Sequence, residues 1–208
     1  SDILRRSWDP TGTKKIVGFV GRLAAEKSVD RLAPLVTDPS IQVVIVGGGP
    51  EREALEEVLP NAVFTGPLSG EELARAYASL DLFVHTGEFE TFCQAIQEAQ
   101  ASGVPTIGPR AGGPVDLIEH GVNGLLLDVD TFTEELPDAA RWLLDDTRHP
   151  ELTTTARASV ADKTWEALGQ QLLGYYTEVL GSYERKVIHL FGRDVALPRW
   201  VPVKRKVD

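Results

Sequence analysis

Two glutamates, Glu90 and Glu98, stand in the stretch EFETFCQAIQEAQASGVP with seven residues between them. Paired carboxylates do general acid–base work at a glycosidic bond when their carboxyl groups lie about 5 to 9.5 Å apart. A helix expected from about Thr91 to Ser102, with Gly103 as its C-cap, places Glu90 at its start and Glu98 inside it. The two then lie roughly 12 Å apart along the axis. That separation disfavours a hydrolase and suits an extended ligand held at two points.

A second set of residues is basic. GRLAAEK, from Gly21 to Lys27, closes an apolar run and carries Arg22 and Lys27 to the expected start of a helix near Ser28. Cations there oppose the positive end of the helix dipole. One reading is an anion held between both side chains and the first-turn amides. The other is a pair of solvated surface cations balanced by Asp30, and the residues alone leave both open.

Other candidates carry less. In VGGGPEREAL, Glu51 and Glu53 fill the first helical turn and would repel a phosphate. The glycine spacing fits neither a dinucleotide-binding nor a P-loop pattern, so these glycines are expected to make a tight turn that lets a ligand approach the backbone. Cys93 has no histidine spaced to activate it and reads as a small buried residue, not a nucleophile. His85, at a strand end beside the glutamates, reads as structural, and Glu88 as a solvated loop acid. The four histidines show no metal-ligand spacing, so no metal site and no cofactor is expected.

The elements that must position these residues form an alternating series. Apolar runs at 15–21, 41–49, 62–66, 81–85, 104–108 and 124–128 read as buried strands, short, β-branched and closed by Gly or Pro. Helices are expected at 28–36, 50–59, 69–79, 91–102 and 114–120. This alternation implies an α/β fold with a doubly wound, Rossmann-like parallel sheet and ligands at the carboxyl ends of its strands. From Phe132 onward the pattern reads as all helical: 133–144, a short helix after Pro150, and 164–180 with Trp165, Leu168, Leu172, Tyr176 and Val179 on one stripe. Residues 1–14 read as a linker from a preceding N-terminal domain, 15–183 as the α/β domain, and 184–208 as a tail whose last stretch, LPRWVPVKRKVD (197–208), is expected to be loosely ordered.

Composition narrows the partners. A net charge of -10 excludes nucleic acid as the main one, because phosphate backbones need a basic face. A single cysteine excludes an internal disulfide and fits a reducing cytoplasm. No apolar run reaches transmembrane length, although Trp200 with Lys204, Arg205 and Lys206 could touch the inner face of a plasma membrane peripherally. The chain starts at Ser1 and contains no methionine, so a longer parent protein is expected.

The Glu-(seven residues)-Glu stretch resembles the motif of retaining glycosyltransferases of sequence family 4, whose fold is GT-B. GRLAAEK resembles that family's phosphate-binding element, NAVFTGPLSGEEL its base-proximal loop, and AGGPVDLIEHGVNGLLLD the segment following the motif. The resemblance runs in order from Ile16 to Asp128, and the Trp165 helix resembles the stretch before a C-terminal crossover helix. GEFETFCQAIQEAQASGVP is most similar to actinobacterial GDP-mannose-dependent α-mannosyltransferases acting on lipid acceptors. The resemblance implies the C-terminal, donor-binding half of a GT-B enzyme, with the acceptor contacts in a missing N-terminal domain and transfer independent of metal.

Carried over by residue, Arg22 and Lys27 would bind the donor diphosphate and Glu90 the hydroxyls of the transferred sugar, these three being the catalytic groups. Glu98 would hold the ribose, and Gly21, Thr91, Phe92 and Cys93 would contact donor through their backbone, with Leu68 near the base. Thr91 and Cys93 stand where many members have glycine, and Asp116 where glutamate is common. The rivals are a UDP-sugar-dependent transferase, another enzyme on this architecture such as an epimerase or phosphorylase, and a non-catalytic nucleotide-binding module.

Overall fold

The computed structural model describes residues 2–181, 187–190 and 193–196. The chain divides into two compact units, Ser1–Ala161 and Asp162–Asp208. The first holds six parallel strands: β1 (Lys15–Val20), β2 (Ile41–Val46), β3 (Val63–Gly66), β4 (Leu82–Val84), β5 (Thr106–Pro109) and β6 (Gly124–Leu127). Their spatial order is β3-β2-β1-β4-β5-β6. These are the six runs expected from the sequence.

Successive residues of a strand point to opposite faces, and here both faces are covered, which is why the runs are apolar throughout. Val17 and Phe19 of β1, Val43 and Ile45 of β2, Leu82 and Val84 of β4, and Leu125 and Leu127 of β6 enter one core. Their neighbours Ile16, Val44, Val46, Phe83 and Leu126 enter the other. The first core is closed by Leu55 of α2 (Arg52–Val58) and by Phe132, Leu136, Ala140 and Leu143 of α6 (Phe132–Leu143). The second is closed by Trp8 of α1 (Asp2–Trp8), Ala76 and Tyr77 of α3 (Gly70–Tyr77), and Ile96 and Ala99 of α4 (Gln94–Ala101). The short α5 (Pro114–Leu117) and α7 (His149–Ala158) complete this doubly wound unit. The second unit contains α8 (Trp165–Gly181) and an antiparallel pair, β7 (Val187–Leu190) with β8 (Arg193–Ala196). No helix among the described residues is long and apolar enough to cross a membrane.

Several expectations are corrected. The opening segment is not loose: residues 2–8 form α1, with Trp8 only 6% exposed. Arg5 clasps Asp81 through both guanidinium nitrogens at 2.9 Å, and Asp81 also accepts the Ile16 N–H at 2.7 Å. The helix expected over 28–36 breaks into 3-10 turns at Ala25–Lys27, Val29–Leu32 and Leu35–Thr37. Ser28 sits between the first two in the left-handed region, φ 48°, which an α-helix cannot accommodate, and Pro34 lacks the N–H a continuing helix needs. The expected all-helical end of the chain instead includes β7 and β8, inside the segment 184–208 read as a tail. Trp200, Lys204, Arg205 and Lys206 lie outside the described residues.

The helix of the Glu-(seven residues)-Glu stretch begins later than expected, at Gln94, because Cys93 holds a left-handed backbone, φ 59°. Its end is as expected in kind: Gly103, φ 76°, donates to Gln100 O at 2.8 Å and Val104 N–H donates to Ala99 O at 3.0 Å. That pair of bonds is a Schellman C-cap.

Candidate functional site

In a doubly wound sheet the ligand crevice lies outside the carboxyl ends of the strands, where strand order reverses. Here the order reverses between β1 and β4. The segments leaving those two strands carry most of the residues singled out by type and spacing: Gly21, Arg22 and Lys27 after β1, and His85, Glu90, Thr91, Phe92 and Cys93 after β4. Lys27 Nζ and Glu90 Oε1 form an ion pair, with side chains 23% and 18% exposed. His85 Nε2 lies 3.6 Å from the same carboxylate oxygen. Together with Gly21 and Cys93 these groups line a cavity of about 160 Å³.

The two cations are not uncompensated. Lys27 is paired with Glu90, and Arg22, 66% exposed, pairs with Glu26 at 2.8 Å. No α-helix starts at Ser28, so no first-turn amides are aimed there. An anion entering this cavity must therefore compete with Glu90 for Lys27. Arg22 does not line the cavity.

Backbone bonding that the sequence did not reveal holds the pair in register. Thr86 Oγ1 donates to Lys27 O at 2.5 Å. Arg31 donates to Thr86 O at 2.8 Å and to Glu88 Oε2 at 3.1 Å, and its guanidinium lies 5.6 Å from the Phe132 ring centroid. Glu88 is thus a structural partner of Arg31 and not a solvated acid. From the other side, Gly113 N–H donates to Glu90 O at 2.7 Å. Gly112 has φ 56°, and a Cβ there would fall 2.5 Å from Glu90 O. The glycine pair in AGGP was the available signal for this contact.

The VGGG run serves the same end. A Cβ on Gly47 would meet Gly21 O at 1.9 Å, and one on Gly49 would meet Leu23 O at 2.2 Å. What packs on Gly47 and Gly49 is the chain's own 21–23 segment. Gly21 N–H donates to Val46 O and Leu23 N–H to Gly48 O, each at 3.0 Å, and these bonds fix where the GRLAAEK segment leaves the sheet.

Cys93 is 7% exposed, and burial pushes its thiol up to about 12. It stays protonated and does not act as a nucleophile at neutral pH. Burial is also the main reason His85 is driven down to about 4, the Glu90 charge acting in the opposite sense. Thr91 and Phe92 are exposed at the rim. Glu98, inside α4, faces the Tyr77 hydroxyl: burial raises that phenol above its usual range, and the Glu98 charge raises it further. The roughly 12 Å separation of the two glutamates assumed a helix through Glu90; only Gln94 to Glu98 is helical, about 6 Å of rise. Leu68 follows β3, two strands away from β1, and packs half-buried against the second core, outside the cavity.

Residues 1–169 match the model of the family described as glycosyl transferases group 1. The chain belongs to this family. Among curated relatives of this group 1 glycosyltransferase, the GDP-mannose-dependent α-mannosyltransferase of Corynebacterium glutamicum is 65% identical over 95% of the chain and 49% of that protein. The GDP-mannose-dependent α-mannosyltransferase of Mycolicibacterium smegmatis is 55% identical over 86% and 47%. The chain spans about half the length of the curated relatives it matches. Among solved structures, Anabaena HepE in complex with UDP and glucose superposes with a TM-score of 0.71 at 26% identity, over 83% of this chain and 51% of that one. Sucrose-phosphate synthase from Thermosynechococcus elongatus gives 0.75 at 25% identity, over 86% and 49%. The sheet described above is thus the α/β architecture of one half of a GT-B glycosyltransferase.

Proposed function

We propose that this chain is the C-terminal, donor-binding domain of a retaining hexosyltransferase that moves mannose from GDP-mannose to a lipid or glycan acceptor. The observation that carries the reading is the Lys27–Glu90 pair, set in a cavity at the point where strand order reverses. A nucleoside-diphosphate sugar offers each member of that pair a partner: diphosphate for Lys27 and sugar hydroxyls for Glu90. Arg22, from the exposed side, adds a second cation for the diphosphate. Cations that meet charge developing on the leaving diphosphate supply preorganised electrostatic stabilisation, the largest contribution in many group transfers. The donor phosphate itself can take the acceptor's proton, so the domain needs no general base of its own. Glu98, Gly21 and the backbone of Thr91, Phe92 and Cys93 complete the donor contacts in this reading, with Leu68 toward the base.

The relatives at 55% and 65% identity are named for GDP-mannose, which favours guanine and mannose here. The second reading, a UDP-sugar donor, draws on the more distant Anabaena structure with UDP and glucose. Calorimetric titration with GDP, UDP, GDP-mannose and UDP-glucose separates the two. Tighter binding of the guanine nucleotides is expected; a preference for uridine nucleotides overturns the first reading, and binding of neither class overturns both. Lys27→Ala should weaken GDP binding by about 1.5–3 kcal/mol, the worth of a charge-assisted hydrogen bond. Arg22→Ala should cost less, because Arg22 is largely solvated.

A further inference from the structure

His85 has no role in the reaction as just described, and its surroundings do not account for it as a core residue. It is 3% exposed, and neither ring nitrogen makes a hydrogen bond of normal geometry, the Gly87 backbone lying near the ring without closing one. A buried imidazole with both nitrogens unpaired is an uncommon and unfavourable arrangement. The ring is not aimed into apolar packing: Nε2 points at Glu90 Oε1 from 3.6 Å, the same oxygen that Lys27 occupies. That distance is about 0.6–0.7 Å beyond a normal hydrogen bond, a gap that a small rotation of the Glu90 side chain closes.

The proposed donor supplies the occasion. A diphosphate draws Lys27 away from Glu90, and a carboxylate only 18% exposed then loses its one ion-pair partner. A half-buried carboxylate without a donor is costly, and the Nε2–H tautomer of His85 is the group within reach. We propose that His85 is a positioning residue for Glu90, taking over its carboxylate by hydrogen bond when Lys27 turns to the diphosphate, so that the second carboxylate oxygen faces the sugar. This rests on the donor-binding reading above. Because burial keeps the imidazole neutral at pH 7, it can donate to Glu90 without placing a second cation beside Lys27. The device would make sugar recognition depend on the phosphate having bound: Glu90 is held by Lys27 until an anion arrives, and by His85 afterwards.

Calorimetry on the 208-residue chain with GDP and with GDP-mannose tests this. His85→Leu keeps the volume and removes the donor. It is expected to leave GDP affinity within twofold and to weaken GDP-mannose about tenfold, shifting the ratio of the two dissociation constants. His85→Gln, which can return an N–H to the Nε2 position, should recover most of that shift. His85→Asn, too short to do so, should behave like the leucine variant and replaces it should His85→Leu fail to fold. Equal weakening of both ligands, no change in either, or no recovery in a folded His85→Gln overturns the proposal. A wild-type chain that binds neither ligand instead overturns the donor-binding reading itself.

Discussion

Cys93 stands beside Glu90 and Lys27, where a nucleophile would be sought, yet its chemistry is set by burial. A thiol pushed up to about 12 is almost entirely protonated at pH 8. Iodoacetamide at pH 8 is expected to leave native protein unmodified for hours and to label it promptly in denaturant, as intact mass will show. Rapid labelling of the folded chain would contradict the burial. His85 gives a second residue-scale expectation. Its folded value, about 4, lies below the ordinary 6.5, so between those pH values the unfolded chain binds a proton that the folded chain does not. Stability is therefore retained above about 6.5, falls as pH drops toward 4, and levels off below. The contribution is on the order of 3 kcal/mol across that window. Urea denaturation at pH 7 and pH 4.5 should show a smaller loss for His85→Gln than for wild type. Equal losses would mean that the ring is not buried neutral.

At the scale of elements, Asp81 ties three together. Its carboxylate holds Arg5 of α1 and the Ile16 N–H of β1, while its carbonyl meets His149 Nε2 of α7 at 2.8 Å. Removing the carboxylate leaves the Ile16 N–H without its acceptor and strips the guanidinium of its counter-ion, with its bond to Ser79 O retained, so Asp81→Ala should destabilise by about 2–3 kcal/mol. Arg5→Ala, which leaves Asp81 still bonded to Ile16, should cost about 1 kcal/mol. Ile3→Ala, at an exposed position, should stay within about 0.5 kcal/mol. Urea midpoints rank the three, and an Asp81→Ala variant as stable as Ile3→Ala would mean that α1 is not held by this clasp.

At the scale of the molecule, the six-stranded unit is self-contained, and in the reading proposed above it supplies the donor side of a reaction site. Its sheet has both faces covered by its own helices, so these 208 residues should fold without the rest of a longer enzyme and show one cooperative transition for the α/β unit. Glycosyl transfer between two α/β halves needs an acceptor held across a closed, water-poor cleft, and the chain spans about half the length of its curated relatives. With labelled GDP-mannose and a lipid or glycan acceptor, the expected result is weak nucleotide binding and no transfer. Robust transfer by this chain alone would overturn the two-domain reading.

The six strands were legible because a strand buried on both faces must be apolar at every position, and a run such as IQVVIVGGG or KIVGFVG has few other uses. Four stretches in register between Ile16 and Asp128 also carried a resemblance to retaining glycosyltransferases, and the family match bears it out. Local spacing could not tell where helices yield to tertiary demands. Cys93 and Ser28 take left-handed backbones that the helix propensities of their neighbours do not record. Nor could it reveal that Lys27 faces Glu90, that Arg31 braces Thr86 and Glu88, or that Gly112 lies against Glu90 O. Those pairs are separated by 63, 55, 57 and 22 residues, and only the pairing of β4 with β1 on one side and β5 on the other brings them together. Charge on a sequence is a count, whereas in the folded chain it is a set of distances. That is why two apparently free cations became paired ones, and why His85, unremarkable as a letter, became a buried ring without a well-formed hydrogen bond.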